Sequence, residues 1–222
     1  MNTLTKMKSL LLFITLICFN SLNAQLSKTV VCTEGGLATA LGAEKTIITQ
    51  LTVTGTLNSA DFKTMKDDML LLENLDISGV NVQYNKIPNS AFEQKQTLKT
   101  VVLPNSIIDI GTYAFYNCKN LTSINMPTEL LKLERASFAS CTQLQTVTLP
   151  SKLKTIEGSV FSECTSFEGI HVPASVTSID VWSFSSTGGL ITVDENNLNY
   201  ASKDGVLFDK GFKTLIKCPV AV

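Results

Sequence analysis

The amino-acid sequence predicts an α/β repeat protein, a right-handed solenoid with one parallel sheet on its inner face, a helical N-terminal cap and a C-terminal β-hairpin. Three sets of side chains that recur every 23 positions carry this prediction. The sets are Phe92, Phe115, Phe138, Phe161 and Phe184; Pro104, Pro127, Pro150 and Pro173; and Ile110, Leu133, Ile156 and Ile179. Because these sets keep one step without an insertion, each turn should bury its apolar residues on its neighbours.

The repeated phrase is L-x-x-I-x-L-P-x-x-L-x-x-I-x-x-x-A-F-x-x-C-x-x, as in LTSINMPTELLKLERASFASCTQ at residues 121–143. A period of about 20–29 residues is typical of leucine-rich-repeat solenoids. The first half of the phrase predicts a short strand, which the proline ends because it cannot donate to a ladder. The following stretch should cross the outer side, and A-F should open a tight helical or 3₁₀ segment. Each buried phenylalanine should contribute about 1.5–3 kcal/mol.

The pattern divides the chain into four segments. Residues 1–24 are predicted to be a signal peptide, residues 25–80 the N-terminal cap with irregular first repeats, residues 81–195 the 23-residue repeats, and residues 196–222 a C-terminal hairpin and tail. In the last segment, the apolar runs VLF and LI flank Asp209-Lys210-Gly211, and this arrangement predicts the hairpin.

The opening of the chain resembles a secretory leader. Lys6 and Lys8 precede an apolar run, and Ala24 offers a small residue for cleavage. Retention as a lipoprotein through Cys18 is the alternative, which the bulky residue before that cysteine disfavours. No later stretch approaches the roughly 18 apolar residues of a membrane span. The mature chain is therefore expected to be exported, to the extracellular medium, the cell surface or the periplasm, without a membrane span.

The N-terminal cap is predicted from local patterns. The segment LATALGAE favours a short helix, and IITQLTVTG alternates as a strand does, with Ile47, Leu51 and Val53 as its inward residues. Asn58 should cap the next helix by accepting from free backbone N–H groups. In that helix, Phe62, Met65 and Met69 follow at helical spacing and predict one apolar face.

Charge and cysteine usage narrow the classes of function. The chain has 18 basic and 19 acidic residues, so no basic excess favours a nucleic-acid partner. Cys118, Cys141 and Cys164 share one column of the repeat, which leaves disulfides as an alternative in an exported chain. Repeated positions aim their side chains in parallel, however, and this favours buried free thiols. With one histidine and no Cys-x-x-Cys, neither a metal site nor another cofactor is expected.

The repeated phrase resembles the BspA-like class of leucine-rich repeats, which is common on bacterial surfaces. LTVTGTLNSADFKTMKDDM is similar to the N-terminal cap of this class, and ENNLNYASKDGVLFDKGFKTLIKCP is similar to its hairpin insert. The resemblance implies a secreted or surface-exposed binding protein, in some members an adhesin for host matrix or other bacteria. Lys95 and Thr187 depart from the pattern because they replace its cysteine. Acidic residues replace a frequent glycine at Glu134, Glu157 and Asp180.

Polar side chains on the inner sheet are the candidate binding site. Two rows of small, neutral, hydrogen-bonding residues suit a protein or glycan surface, and a solvated sheet without a ligand is the alternative. The candidate residues are Asn74, Asp76, Thr100, Ser123, Asn125, Thr146, Thr148, His171, Thr192 and Asp194.

Catalysis has little support in this pattern. His171 is the only histidine, and Asp194 lies 23 positions later, which makes the two candidates for neighbours. A catalytic pair needs a nucleophile within hydrogen-bond reach, and Thr148 or Ser123 would have to serve on an open sheet. We therefore expect no enzyme activity.

For the acidic column and for three aromatic residues, a structural role is favoured over ligand binding. The acidic column could form a weak Ca²⁺ site, but an exposed column screened by Lys132 and Arg135 is the favoured interpretation. Tyr113, Tyr116 and Trp182 could anchor sugars or a partner, although partial packing against the next turn is favoured.

The sequence thus predicts a binding module for a protein ligand, either a host matrix or a bacterial surface protein, with a glycan as a further candidate. A carbohydrate-binding accessory protein and a structural spacer are the alternatives.

Overall fold

The computed structural model describes residues 25–217, and the predicted leader and Cys218 lie outside that range. In chain order its strands are β1 (Ser27–Cys32), β2 (Gln50–Leu57), β3 (Asn74–Val82), β4 (Lys86–Ile87), β5 (Thr100–Val102), β6 (Asp109–Ile110), β7 (Ser123–Ile124), β8 (Lys132–Leu133), β9 (Thr155–Ile156), β10 (Gly169–Val172), β11 (Ser178–Ile179), β12 (Leu190–Val193), β13 (Tyr200–Lys203), β14 (Val206–Asp209) and β15 (Leu215–Lys217). Helix α1 (Leu37–Leu41) continues as a 3₁₀ turn at Gly42–Thr46, helix α2 (Ser59–Lys63) continues as a π turn at Thr64–Asp68, and a 3₁₀ turn spans Gln83–Asn85.

Helix α2 begins at the residue that the sequence predicted. The Asn58 side chain accepts a hydrogen bond from the Ala60 N–H at 2.9 Å, and the Asp61 carboxylate accepts from the Asn58 N–H at 2.9 Å. Asp61 is buried and also accepts from the N–H groups of Gly35 and Leu37, at 2.8 and 2.9 Å. One carboxylate therefore satisfies the free donors of a helix start and fastens the N-terminal loop to it.

The first turn of the coil differs from the prediction at its edge. Strand β1 was not identified from the sequence, yet it pairs in parallel with β2 over six residues. Ile47 was expected to point inward, but it is 54% exposed, whereas Ile48 is buried. The 3₁₀ turn ends just before Ile47 and β2 starts only at Gln50, so Ile47 lies outside the strand. The other two predicted inward residues, Leu51 and Val53, are buried.

The inner sheet, here called the first sheet, consists of β1, β2, β3, β5 and β7 in that order, all parallel. Strands β10 and β12 form a separate parallel pair at the same position of the repeat. Alternate residues of these strands point into the core, including Val101, Ile124 and Ile170. The α/β repeat class is therefore confirmed.

The prediction of a single parallel sheet is wrong. A second sheet of five parallel strands, β4, β6, β8, β9 and β11, lies where the sequence predicted only a crossing segment. The physical reason is a repeated backbone bond: the N–H that follows each strand donates to the carbonyl of the preceding turn. These bonds are Gly111 to Ile87, Glu134 to Ile110, Glu157 to Leu133 and Asp180 to Ile156, each 3.0 Å.

The phenylalanine column forms the core between the sheets. All five rings are buried, and neighbouring ring centroids lie 5.2, 5.1, 5.7 and 5.9 Å apart along the column. The A-F segments are not helical as predicted, since residues 86–217 contain no helix. Each is a run of turns. In the first four, two residues four positions apart have positive φ, such as Tyr113 and Asn117, whereas in the fifth only Ser186 does. This path lets the Phe115 N–H donate to Ser137 in the next turn at 2.8 Å.

The repeated cysteines are buried free thiols, as predicted. Each thiol donates to the carbonyl oxygen of the phenylalanine 26 residues earlier. The pairs are Cys118 with Phe92, Cys141 with Phe115 and Cys164 with Phe138, at 3.0, 3.2 and 3.2 Å. The column therefore joins successive turns through hydrogen bonds without covalent links.

The C-terminal segment leaves the repeat. Strand β14 pairs antiparallel with β13 on one side and with β15 on the other, which gives a three-stranded sheet where the sequence predicted two strands. Leu207 of β14 is fully buried and belongs to the main core. Tyr200 accepts a hydrogen bond on its hydroxyl from the Ile179 N–H at 2.7 Å, so this sheet contacts the last strand of the second sheet.

Candidate functional site

The ten predicted binding residues all keep an accessible side chain. Ser123, Asn125, Thr146, Thr148, His171 and Thr192 are exposed, and Asn74, Asp76, Thr100 and Asp194 are half-buried. Strand register aligns Asn74, Thr100 and Ser123 in one row. The Thr100 hydroxyl donates to the Asn74 side chain at 2.7 Å, so polar side chains within this row bind one another.

The first sheet is interrupted in the middle of its exposed face. Residues 145–149 belong to no strand, although they lie between β7 and β10. Side chains beneath the interruption are about as covered as the one beneath β7: Val147 is 8%, Leu149 is 7% and Ile124 is 7% exposed. The next turn stays joined at the start of the interruption, where the Glu168 N–H donates to the Gln145 carbonyl at 2.9 Å.

Asn125 explains where the ladder stops. Its side-chain oxygen accepts from the Leu103 N–H at 2.7 Å, and its amide nitrogen donates to the Leu103 carbonyl at 3.0 Å. The side chain thus takes both backbone groups that a parallel neighbour would use. Strand β7 ends at Ile124, the residue before Asn125.

A groove of about 410 Å³ opens at this interruption, and we call it the gap groove. Four of the predicted residues line it: Ser123, Asn125, Thr146 and Thr148. The sequence did not identify its other lining residues, which are Thr122, Ile124, Met126, Thr128 and Pro150. Of these, Thr122 and Thr128 flank the predicted strand, so a search widened to both ends of that strand would have included them.

His171 and Asp194 are not neighbours, so the expected pairing is wrong. Strand register places Thr192 opposite His171, and the imidazole Nδ1 lies 3.1 Å from the Thr192 hydroxyl. The Asp194 carboxylate instead accepts from the Asn196 N–H at 2.8 Å. The turn before β12 is two residues short. Glycine fits this shorter path, since Gly189 adopts φ +69° and a Cβ there would lie 2.3 Å from the Glu168 carbonyl carbon.

The acidic column is held by hydrogen bonds. Glu134 accepts from the Thr112 N–H at 3.0 Å and pairs with Lys86 at 2.6 Å, and only 14% of its side chain is exposed. Burial acts to raise the pKa of Glu134, but the Lys86 hydrogen bond and charge, with the Thr112 donors, hold that pKa below its usual value. The interpretation as a fully exposed column is therefore wrong at Glu134.

Trp182 is also more exposed than its interpretation allowed. Its side chain is 64% accessible, whereas Tyr113 and Tyr116 are half-buried and lie edge to face at 5.5 Å. Partial packing is therefore wrong for the tryptophan. The two tyrosines are half-buried against each other within one turn, and their packing against the next turn stays a prediction.

Neither a metal-binding cluster nor a membrane-spanning helix is found between residues 25 and 217. No group of three or more His, Cys, Asp or Glu side chains is placed to hold a metal ion in that part of the chain. None of its helices has the length and apolar character that crossing a bilayer requires.

Solved structures with the same fold come from bacterial leucine-rich-repeat proteins. One from Eubacterium ventriosum superposes with a TM-score of 0.60 at 24% identity, over 75% of this chain and 44% of that one. One from Bacteroides ovatus has a TM-score of 0.54 at 20% identity, over 73% of this chain and 50% of that one. The protein thus spans about half the length of these structures.

A third solved structure, the leucine-rich-repeat protein of T. pallidum, is 30% identical over 52% of this chain and 54% of that one, with a TM-score of 0.48. The comparison with curated proteins gives no match. The family model for the BspA type leucine-rich-repeat region matches residues 72–203 in six copies, which is more than half of the chain. Its span contains the phenylalanine column, the thiol column and the gap groove, and the protein belongs to the BspA-type leucine-rich-repeat family.

Proposed function

We propose that the protein is an exported binding module and that it holds a protein ligand on the first sheet, with the gap groove as the central contact. The observation that carries this proposal is the interruption at residues 145–149. It leaves small hydroxyl side chains, backbone groups and a slightly uncovered apolar floor together on an otherwise regular face.

Backbone groups supply the first argument. Among the backbone hydrogen bonds of the described residues, none is donated by the N–H groups of residues 146–149. Two of these four residues, Thr146 and Thr148, are exposed. An extended segment of a partner can take such donors, as in the addition of a strand to a sheet.

The composition of the groove supplies the second argument. Thr146, Thr148 and Ser123 carry no charge, and Met126 adds a flexible apolar wall. An aliphatic or aromatic side chain of a partner would bury the floor formed by Ile124, while the hydroxyls exchange hydrogen bonds at the rim. This arrangement binds without providing a nucleophile and base, so we propose binding and not catalysis.

The proposal keeps the exported location, which depends on the leader-like character of residues 1–24. It also keeps the right-handed sense of the coil, the helical N-terminal cap and the C-terminal hairpin as predictions. Fractionation of the native cell tests the location: recovery of the protein in the cytoplasm alone would contradict it.

Charge substitution in the gap groove tests the site. Surface plasmon resonance measures binding of the purified protein to immobilised extracellular-matrix proteins and to immobilised bacterial surface extracts. We expect Thr146→Glu with Thr148→Glu to weaken the strongest interaction by about tenfold or more, because two buried carboxylates would lack partners.

A matched control adds the same charge elsewhere. Ser59→Glu with Thr177→Glu places two carboxylates on exposed positions outside the first-sheet groove, and binding should be unchanged. Equal circular dichroism and unfolding midpoints show that both double variants fold. Undiminished binding by the groove variant would overturn this placement of the site.

A further inference from the structure

A second groove, larger than the first, lies beside the second sheet and has no residue in common with the gap groove. Its volume is about 740 Å³, and it crosses three successive turns of the coil. Arg135 comes from the first of these turns, Glu157 and Gly158 from the second, and Asp180 and Trp182 from the third. We call it the tryptophan groove.

The tryptophan stands on a rigid support while its ring stays in solvent. The backbone N–H of Trp182 donates to the Asp180 carboxylate at 2.8 Å. The neighbouring Ser183 is fully buried, and its hydroxyl lies 2.7 Å from the Asp180 carbonyl and 2.8 Å from the Glu157 carbonyl. The backbone under the indole is thus fixed to the preceding turn, although 64% of the tryptophan and 55% of Val181 remain exposed. An exposed aromatic ring on a fixed backbone is a preformed stacking surface.

The polar side chains of this groove are balanced in charge. Glu157 is engaged, because it pairs with Lys132 at 2.6 Å and accepts from the Arg135 N–H at 2.9 Å. Across residues 25–217, the ion pairs include neither the Arg135 guanidinium nor the Asp180 carboxylate. The groove therefore offers one strong donor group and one strong acceptor group in addition to the ring.

This set of groups discriminates between classes of ligand. A cation would stack on the indole and approach Asp180, but Arg135 would repel it. An anion would meet the opposite problem. A neutral molecule with an apolar face and hydroxyl groups on its edge uses all three features at once, since each hydroxyl both donates and accepts.

We propose that the tryptophan groove binds a neutral saccharide. The C–H face of one sugar ring stacks on Trp182, its hydroxyls donate to Asp180, and others accept from Arg135. Gly158 keeps the floor open between them, since a Cβ there would lie 3.4 Å from the Asp180 carboxyl carbon. The site is separate from the first sheet and does not depend on the protein ligand proposed for it.

The sole tryptophan of the chain is Trp182, so its fluorescence reports this groove alone. The experiment titrates the full chain with neutral tetrasaccharides of glucose, galactose, mannose, xylose and N-acetylglucosamine. We expect a saturable change of tryptophan emission with at least one of them. Calorimetry with that sugar should give an affinity that Trp182→Ala lowers by about tenfold or more and that Trp182→Phe lowers less.

Two further variants separate contact from folding. Gly158→Val should fill the floor and abolish the emission change while the tryptophan remains, and Tyr84→Ala, which removes another exposed aromatic ring, should bind like the wild type. Thr146→Glu with Thr148→Glu should also retain saccharide binding, which separates this result from that of the gap groove. The proposal is overturned if no sugar changes the emission, if binding survives Trp182→Ala, or if a tetralysine peptide saturates the site instead.

Discussion

The hydroxyl of Thr187 donates a hydrogen bond to the carbonyl oxygen of Phe161 at 2.6 Å, in the position that a cysteine thiol takes in the three preceding turns. At the other end of the column, the Lys95 ammonium donates to the Met69 carbonyl at 2.7 Å, again 26 residues earlier. Lys95 and Thr187 depart from the repeat in residue type and keep its hydrogen bond. This position of the repeat therefore supplies a side-chain donor to a buried carbonyl, and the cysteine thiol is one of three groups that do so.

Removing this side-chain donor should lower the stability by the value of one hydrogen bond. Thr187→Val keeps the size of the side chain but leaves the buried Phe161 carbonyl with only its second donor, the Cys164 N–H at 3.2 Å. We expect the free energy of unfolding to fall by about 0.5–1.5 kcal/mol. Thr187→Cys keeps a donor at this position, and its free energy of unfolding should fall by less than half as much in the same urea titration. Equal losses in the two variants would mean that the hydrogen bond contributes little.

The phenylalanine column should be as sensitive as any core. Phe138 is fully buried between the rings of Phe115 and Phe161, at 5.1 and 5.7 Å. We expect Phe138→Ala to destabilise the protein by about 3–5 kcal/mol, because the stacked neighbours cannot close the cavity. Tyr84→Ala is the control, since that ring is 83% exposed and its loss should cost under about 0.5 kcal/mol. A Phe138→Ala loss below about 1 kcal/mol would show that the column is not the core.

Alkaline pH should destabilise the protein through its thiols. Burial raises the pKa of Cys118 and Cys164 to about 12 and that of Cys141 well above the usual value of a thiol. Above pH 9 the unfolded chain releases these protons while the folded chain keeps them, so stability falls as pH rises. Burial lowers the pKa of Lys95 to about 8, which opposes this trend between pH 8 and 10.5 because the unfolded chain then binds the extra proton.

A single variant isolates the contribution of one thiol to this pH dependence of stability. Cys141→Thr keeps a donor for the Phe115 carbonyl, as Thr187 does for Phe161, and removes one titrating group. Between pH 9.5 and 10.5, its stability should fall less steeply than that of the wild type by about 1.4 kcal/mol per pH unit. Urea titrations under reducing conditions measure both slopes. Parallel slopes would show that the thiol ionises equally in both states.

The ion pair that spans two turns should matter more than a surface pair. Lys86→Met leaves Glu134 half-buried without its cation, and we expect a loss of about 1–2 kcal/mol at pH 7. Because the pKa of Glu134 is held low, its contribution is present above the unfolded pKa and is lost as pH falls through the folded value. The variant and the wild type should therefore converge in acid. Lys152→Met breaks an exposed pair with Glu129 and should change stability by less than about 0.5 kcal/mol.

The sequence predicts what each turn repeats, because periodicity states which side chains are equivalent. The phenylalanine core, the free thiols and the helix cap at Asn58 were all predicted from spacing and residue type. The second sheet was missed because each of its strands has only two residues, which is too short for any alternating pattern.

The gap groove could not be predicted from local sequence. Residues 98–104 read LKTVVLP and residues 144–150 read LQTVTLP, yet only the first segment contains a strand. The two segments differ in their neighbours, since Leu103 of the first segment bonds to the Asn125 side chain of the next turn. Contacts of this kind between turns are not contained in one turn read alone.

The hydrogen bond between a side chain and the carbonyl 26 residues earlier also affects how the number of repeats can change. In every internal turn the phenylalanine carbonyl accepts a hydrogen bond from the following turn, and the side chain at the cysteine position donates one to the preceding turn. The repeats are therefore equivalent in these bonds. Duplication or loss of one whole repeat leaves all internal bonds matched, whereas a change of a few residues shifts the strand register that follows it, as the two-residue shortening before β12 does. Proteins built this way are free to vary in length by complete units during evolution, and selection then acts on the exposed faces without rebuilding the interior.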